Sequence, residues 1–489
     1  MTRSFAIASV LLAAGATSLV GQFRGGPEWT TGGGDAQRTH WVRTDPKISK
    51  DTVGKGFAVA WKVKLANPPR QENALFAPVM LDRYIGYRGF RSFAFIAGSS
   101  NNVFAIDTDL GRIEWQKHFP LTVPAGNAAC PGGITASFVE LTSPAIASGD
   151  GRGGRGRGGP AKSGVGAPLE GAVTISEVRP APNVPSGGRG PAAGRAGVPG
   201  PGRGRMPSMI YGVSSDGAFH SMYVSNGEEP QPPLKFLPPN ANVKDVALIE
   251  GTAYAVTTGN CGGAPNGVWA LDTESKNVAS WKGNAVGIAF GPDGEVYAAT
   301  GDGQIVALEA KTLNKKASYS AGQALISAPT VFESNGKIMV AAAAKDGSLH
   351  VVDAASMTGS SAKSATPVDS LATWVDGGGT RWIAGSSSQG ITAWKLTGSL
   401  QPGWSSPAIA SAVGPIVVNG VLFTAAAGNR SSHAVLYALD AETGRELWNS
   451  GSLIPSYIPR SGALSSSGSQ LYFGTYDGTF WEFGFPIEH

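Results

Sequence analysis

The chain has 489 residues, 69 of them Gly, with 42% hydrophobic and 15% charged residues and a net charge of +4. The apolar content is ample for a core, and the charge lies well below the ~25% of an ordinary globular protein. No heptad pattern and no long amphipathic helical stretch is present, so coiled coils and helical bundles are excluded and a β-rich, turn-rich protein is expected.

In chain order, the first element is an export signal. Arg3 precedes the apolar run "FAIASVLLAA" (Phe5 to Ala14), which is too short to span a bilayer, and Ala14-Gly15-Ala16 supplies small residues for cleavage. We expect a signal peptide over 1–21, a leader over 22–54 and a folded body over 55–489. No Cys follows the apolar run to carry a lipid, and no later segment is apolar enough to cross a membrane. The expected location is therefore periplasmic, with a soluble, monomeric mature chain.

The body begins with an orphan strand, "FAVAWKVKL" from Phe57 to Leu65. A hairpin pattern then recurs eight times, starting at Ser92, Met209, Thr252, Glu295, Lys337, Arg381, Val421 and Gln470. Each copy alternates apolar and polar residues around a Gly-containing turn, most plainly at Asp216-Gly217, Asp302-Gly303, Asp346-Gly347 and Asp477-Gly478. Pro78, Pro144, Pro329 and Pro407 read as strand entries, because Pro cannot donate to a sheet ladder. Eight units in roughly 375 residues give about 47 each, the size of a propeller blade. The expectation is an all-β, eight-bladed propeller of four-stranded antiparallel sheets. The last hairpin ends at "WEFGFPIEH" with no room for a fourth strand, so the orphan strand closes the ring.

Two copies end in nearly the same phrase, "VFAIDTDLGRIEW" (Val103 to Trp115) and "LYALDAETGRELW" (Leu436 to Trp448). Ala105, Ala270 and Ala438 permit close packing at the end of the third strand. Asp107, Asp272, Asp353 and Asp440 are placed to accept turn amides. Gly111 and Gly444 suit a positive-φ turn position, and Trp115, Trp281 and Trp448 open the fourth strand and wedge between blades. These are structural roles.

The phrase resembles the tryptophan-docking motif of the pyrroloquinoline quinone (PQQ) repeat family, Ala-x-Asp-x-x-Thr-Gly-x-x-x-Trp. It matches fully at Ala438, Asp440, Thr443, Gly444 and Trp448; at the earlier copy Leu110 replaces Thr, and "ALDTESKNVASW" is one residue longer and lacks the Gly. "PEWTTGGGDAQRTHW" (Pro27 to Trp41) is similar to the leader that precedes such propellers. The resemblance implies the propeller fold and two kinds of function. Quinoprotein dehydrogenases hold PQQ and calcium at the propeller centre, commonly under a ring formed by adjacent cysteines and beside a catalytic Asp. Other relatives, among them the lipoprotein of outer-membrane β-barrel assembly, are cofactor-free scaffolds. This chain has no Cys-Cys pair and no compact set of oxygen donors for calcium.

Residues 151–206 interrupt the second unit with Gly, Pro and Arg, and carry nine Lys/Arg against Glu170 and Glu177, a balance of +7 that leaves −3 for the rest of the chain. Such a composition reads as a solvated loop, and in an exported protein not as a nucleic-acid tether. Cys130 and Cys261 are free to pair or not, as far as sequence goes. His40, His118, His220, His350, His433 and His489 lack metal-ligand spacing, and there is no Gly-x-Ser-x-Gly elbow or P-loop. No catalytic, cofactor-binding or metal residue is named. The leading expectation is a non-catalytic binding or scaffold protein of the cell envelope, holding an envelope protein or a small ligand at one mouth of the ring. The alternative is a PQQ- and calcium-dependent oxidoreductase with a divergent site.

Overall fold

The computed structural model describes residues 29–86, 89–121, 126–146 and 208–486. The expected signal peptide, residues 22–28 of the leader with Pro27 among them, the 151–206 stretch and His489 lie outside them. Eight small sheets make up the molecule. In each, the expected hairpin forms the second and third strands, as in blade 1, whose strands are Val79–Gly86, Gly89–Gly98, Asn102–Asp107 and Arg112–His118. Blades 3 to 7 follow the same antiparallel order.

Blade 8 is built from both ends of the chain. Ala58–Lys64 pairs antiparallel with Thr479–Gly484, setting Val59 opposite Phe483 and Trp61 opposite Glu482. The N-terminal strand therefore closes the ring as its sequence implied. Blade 2 is the least complete: its outermost strand is Leu234–Lys235, and its inner edge is held by a bridge between Val139 and Tyr211. Leu141–Thr142 passes on to lie parallel to the inner strand of blade 3. Two Pro assignments need correction. Pro78 and Pro329 directly precede inner strands, but Pro144 follows one and Pro407 lies in the connection before blade 7, where Pro415 takes the entry position.

The repeated phrase links neighbouring blades. In blade 1, Ala105 sits opposite Trp115 beside a bulge, and Ala438 and Ala393 face Trp448 and Trp404 in the same way. The three alanines are buried, so the indole is directed away from its own sheet toward the next. Trp61 Nε1 donates to Thr108 O of blade 1 (2.9 Å), Trp115 Nε1 to Val224 O of blade 2 (2.8 Å), and Trp404 Nε1 to Ala441 O of blade 7 (3.0 Å). Each ring lies on a turn glycine of that next blade. A Cβ on Gly111, Gly227 or Gly444 would stand 2.5, 2.6 or 2.3 Å from the indole. The aspartates brace these turns: Asp440 Oδ1 accepts from Glu442 N (2.9 Å), Asp272 Oδ1 from Ser275 N (2.9 Å), and Asp107 Oδ1 from Leu110 N (3.1 Å).

Two of the expected Trp positions differ from this pattern. Trp281 pairs with Val268, while Ala270 faces Ala279, because this strand pair runs on without the bulge found beside Ala105 and Ala438 and Trp281 comes one residue later in the chain; its ring packs on the core shared by blades 3 and 4. Trp448 faces a blade whose outer strand comes from the N-terminal part of the chain. Its ring meets Phe57 edge-on at 5.1 Å and Phe483 at 6.0 Å.

Gly444 and Gly451 both have positive φ, 72° and 53°, but nothing lies within 4 Å of a Cβ at Gly451. Gly444→Ala should therefore destabilise the protein by about 3 kcal/mol, against about 1 kcal/mol for Gly451→Ala, because only the former adds an indole clash to backbone strain. Urea midpoints of the two variants check this; equal shifts would mean that the Trp404 ring does not rest on that turn.

Candidate functional site

The leader does more than precede the ring. Trp29 O accepts from Met80 N of blade 1 (2.8 Å) and Thr30 O from Glu140 N of blade 2 (3.0 Å). Ala36 O accepts from Phe290 N of blade 4 (3.0 Å), Gln37 O from Val331 N of blade 5 (2.9 Å), Thr39 O from Thr373 N of blade 6 (3.0 Å), and His40 O from Val417 N of blade 7 (2.8 Å). Trp41 and Val42 then run parallel to the inner strand of blade 7, and Asp45 takes a hydrogen bond from Ser469 of blade 8 (2.8 Å). Arg38 reaches Asp245 of blade 3 (2.7 Å). Seventeen residues thus touch the inner edge of every blade, in a tight path with positive φ at Gly34, Arg38 and His40.

This circuit floors a funnel of about 520 Å3 at one mouth of the ring. Gly32 and Arg38 form the floor. The walls come from four places: Gln71–Phe76 entering blade 1, Ala128–Ser137 between blades 1 and 2, the inner strand of blade 3, and Arg460–Ala463 entering blade 8. Cys130 and Cys261 form a disulfide, 2.02 Å between sulfurs, that ties the second wall to the hairpin turn of blade 3. Asn242 Nδ2 donates to Ala129 O (2.9 Å) across the same seam. A second hollow of about 550 Å3 adjoins it, sharing Glu72 and Arg460, beside the stacked rings of Tyr457 and Tyr476 at 4.6 Å.

The charges of the funnel are unevenly matched. Glu72 is paired with Arg430 (3.0 Å) and Asp245 with Arg38 (2.7 Å). Burial pushes the Asp245 carboxyl up from its ordinary range, and Arg38 opposes that rise. Lys244 is held below its ordinary range by its surroundings and by the nearby charge of Arg460. None of the docking residues lines this mouth; they lie in the strands and turns that brace the blades. His220 sits between Asp216 and Glu229, each at 3.2 Å, and His350 meets the Tyr319 hydroxyl at 3.1 Å. Among the described residues no three His, Cys, Asp or Glu converge to hold a metal ion, and no helix is long and apolar enough to cross a membrane.

The family model described as outer membrane protein assembly factor BamB matches residues 246–450. No curated protein matches the chain by sequence. Among solved structures, quinohemoprotein alcohol dehydrogenase from Comamonas testosteroni superposes with a TM-score of 0.56 at 13% identity, over 94% of this chain and 82% of that one. Quinohemoprotein alcohol dehydrogenase ADHIIG from Pseudomonas putida HK5 gives 0.58 at 12%, over 95% and 82%. BamB from Moraxella catarrhalis gives 0.50 at 13%, over 88% and 99%. At such identities the likeness speaks for the fold alone.

Burial first, and Arg38 second, lower the His40 pKa from 6.5 to about 3. As pH falls through that window the unfolded chain takes a proton that the folded chain refuses, so stability falls. Asp35, its pKa raised by burial, acts in the opposite sense and is common to both proteins in a comparison with His40→Asn, a residue that tolerates positive φ. Urea midpoints should fall less steeply in that variant as pH drops from 6.5 toward 3. The paired Cys130→Ser and Cys261→Ser substitutions open a loop of 131 residues and should cost about 2–5 kcal/mol. Calorimetry with and without reductant should show the melting point of the native protein falling to that of the variant, which reductant leaves unmoved.

Proposed function

We propose that this PQQ-like β-propeller is an exported, non-catalytic binding or scaffold protein of the cell envelope, with its partner held at the leader-floored mouth. The observation that carries the reading is the filled axis. Backbone of the chain itself occupies the centre of the ring, the place where dehydrogenases of the resembling family hold PQQ and calcium. The funnel above it does not suit that pair. Calcium needs several oxygen donors, carboxylates among them, and both carboxylates of the funnel are committed to arginines. Export is supported by the apolar run Phe5 to Ala14 and by a disulfide, which persists in oxidising compartments. Loop-borne walls on a rigid ring are a common setting for recognition.

The purified mature chain, incubated with PQQ and calcium and then desalted, should retain no quinone and reduce no dye with alcohols or sugars. One quinone retained per chain, with dye reduction, would contradict the reading. A photo-crosslinking residue at exposed Gln71, on the funnel wall, should capture an envelope partner in cells. The same residue at exposed Asn335, in a turn at the opposite end of the blades, should not.

A further inference from the structure

The funnel has a charge arrangement that its own residues leave unsatisfied. The inner strand of blade 3, Asn242–Ile249, slips register between Val243 and Asp245, so that Lys244 has no partner on the neighbouring strand. A bulge of this kind re-aims side chains. Here it lets two consecutive residues, Lys244 and Asp245, line the same hollow. Asp245 is taken by Arg38 at 2.7 Å. Lys244, which lines the same hollow as Asp245, makes no ion pair among the described residues.

Arg460, on the segment entering blade 8, is likewise without a carboxylate partner among the described residues. It is near enough for its charge to lower the Lys244 pKa. Asp369 feels Arg460 only as a charge at longer range, with no ion pair between them. Two exposed cations are thus set against each other inside a concave wall, an arrangement that costs free energy until an anion enters. The hollow is lined besides by Asn73, Asn242, Thr258 and Ser461, which are neutral, and by Glu72 and Asp245, whose carboxylates are taken by Arg430 and Arg38. The volume of about 520 Å3 lies in the range of small-molecule sites.

We infer that the mouth binds a small organic polycarboxylate, one carboxylate held by Lys244 and another by Arg460. Two cations on separate walls suit separated charges on one molecule better than a single phosphate centre. Arg460 can grip its carboxylate with two parallel N–H donors, and Lys244 acts as a point charge. The disulfide between Cys130 and Cys261 holds the wall carrying Ala128 and Ala129 in place around the ligand. The inference rests on the mouth being the binding face, and names the chemistry it would take.

Isothermal titration of the full mature chain at low ionic strength tests it, with citrate, tricarballylate and inorganic phosphate as probes and glucose as the neutral comparison. The expected result is one tricarboxylate per chain, with phosphate at least tenfold weaker and glucose silent. Lys244→Gln and Arg460→Gln should each weaken citrate roughly tenfold or more. Lys244→Arg should largely restore binding, and Lys345→Gln should leave it unchanged. Both Lys244 and Arg460 are exposed, so the variants should melt with the native protein. Absence of citrate binding, phosphate binding as tight as citrate, or citrate affinity unmoved in both Gln variants would each overturn the assignment. Capture of a partner through Gln71 in the absence of citrate binding would leave the scaffold reading standing and remove only the ligand.

Discussion

A four-stranded sheet has two broad faces, and this chain makes both of them apolar. Each sheet can be covered only by a sheet on either side, so the whole structure depends on the contact between its first and last blades. That contact is made by a strand from one end of the chain, Ala58–Lys64, laid on a strand from the other, Thr479–Gly484. The consequence is visible in the packing. The largest buried cluster joins Ile48, Val53 and Phe57 of the N-terminal segment to Phe423 and Leu436 of blade 7, Phe473 and Trp481 of blade 8, and Ile96 and Phe104 of blade 1. Indole contacts then carry the constraint across three seams, from blade 8 to blade 1, from blade 1 to blade 2 and from blade 6 to blade 7, each on a glycine turn of the successor.

The leader adds a second closure inside the first. Its carbonyls accept from inner-strand amides that would otherwise face the channel unpaired, which is the general difficulty with a sheet's inner edge. The same segment contributes Gly32 and Arg38 to the mouth above it. Geometry and function meet here: the segment that stabilises the ring also decides what room remains for a ligand.

The eight hairpins, the closing strand and the Asp-braced turns were legible in the sequence, because alternation, Asp-Gly turns and strand length are local properties. The direction of the indole contacts was not. Gly111 and Trp115 belong to one phrase but serve opposite neighbours, Gly111 receiving Trp61 and Trp115 reaching Gly227. Trp404 was missed as a docking residue because its unit, "AWKLTGSLQPGW", has no Asp and sets the Trp one residue further from the Ala than the copies ending at Trp115 and Trp448 do; a bulge beside Ala393 restores the pairing. Trp281 looked equivalent to Trp115, but its strand pair lacks the bulge that sets Trp115 opposite Ala105. That binding belongs at one mouth was an expectation of the fold, but the residues lining that mouth were illegible. Glu72, Lys244 and Arg460 carry no motif, and their convergence follows only from the circular order of the blades and a bulge that pattern cannot reveal.

Ring closure can be tested residue by residue with native-state hydrogen exchange. The account predicts that the bonded amides of Ala58–Lys64 and Thr479–Gly484 exchange only through global opening, with the same free energy as the central strands of blade 4, Val296–Thr300 and Gln304–Leu308. Rapid exchange of Ala58–Lys64 while blade 4 stays protected would contradict it, since the ring would then hold together without its closing strand.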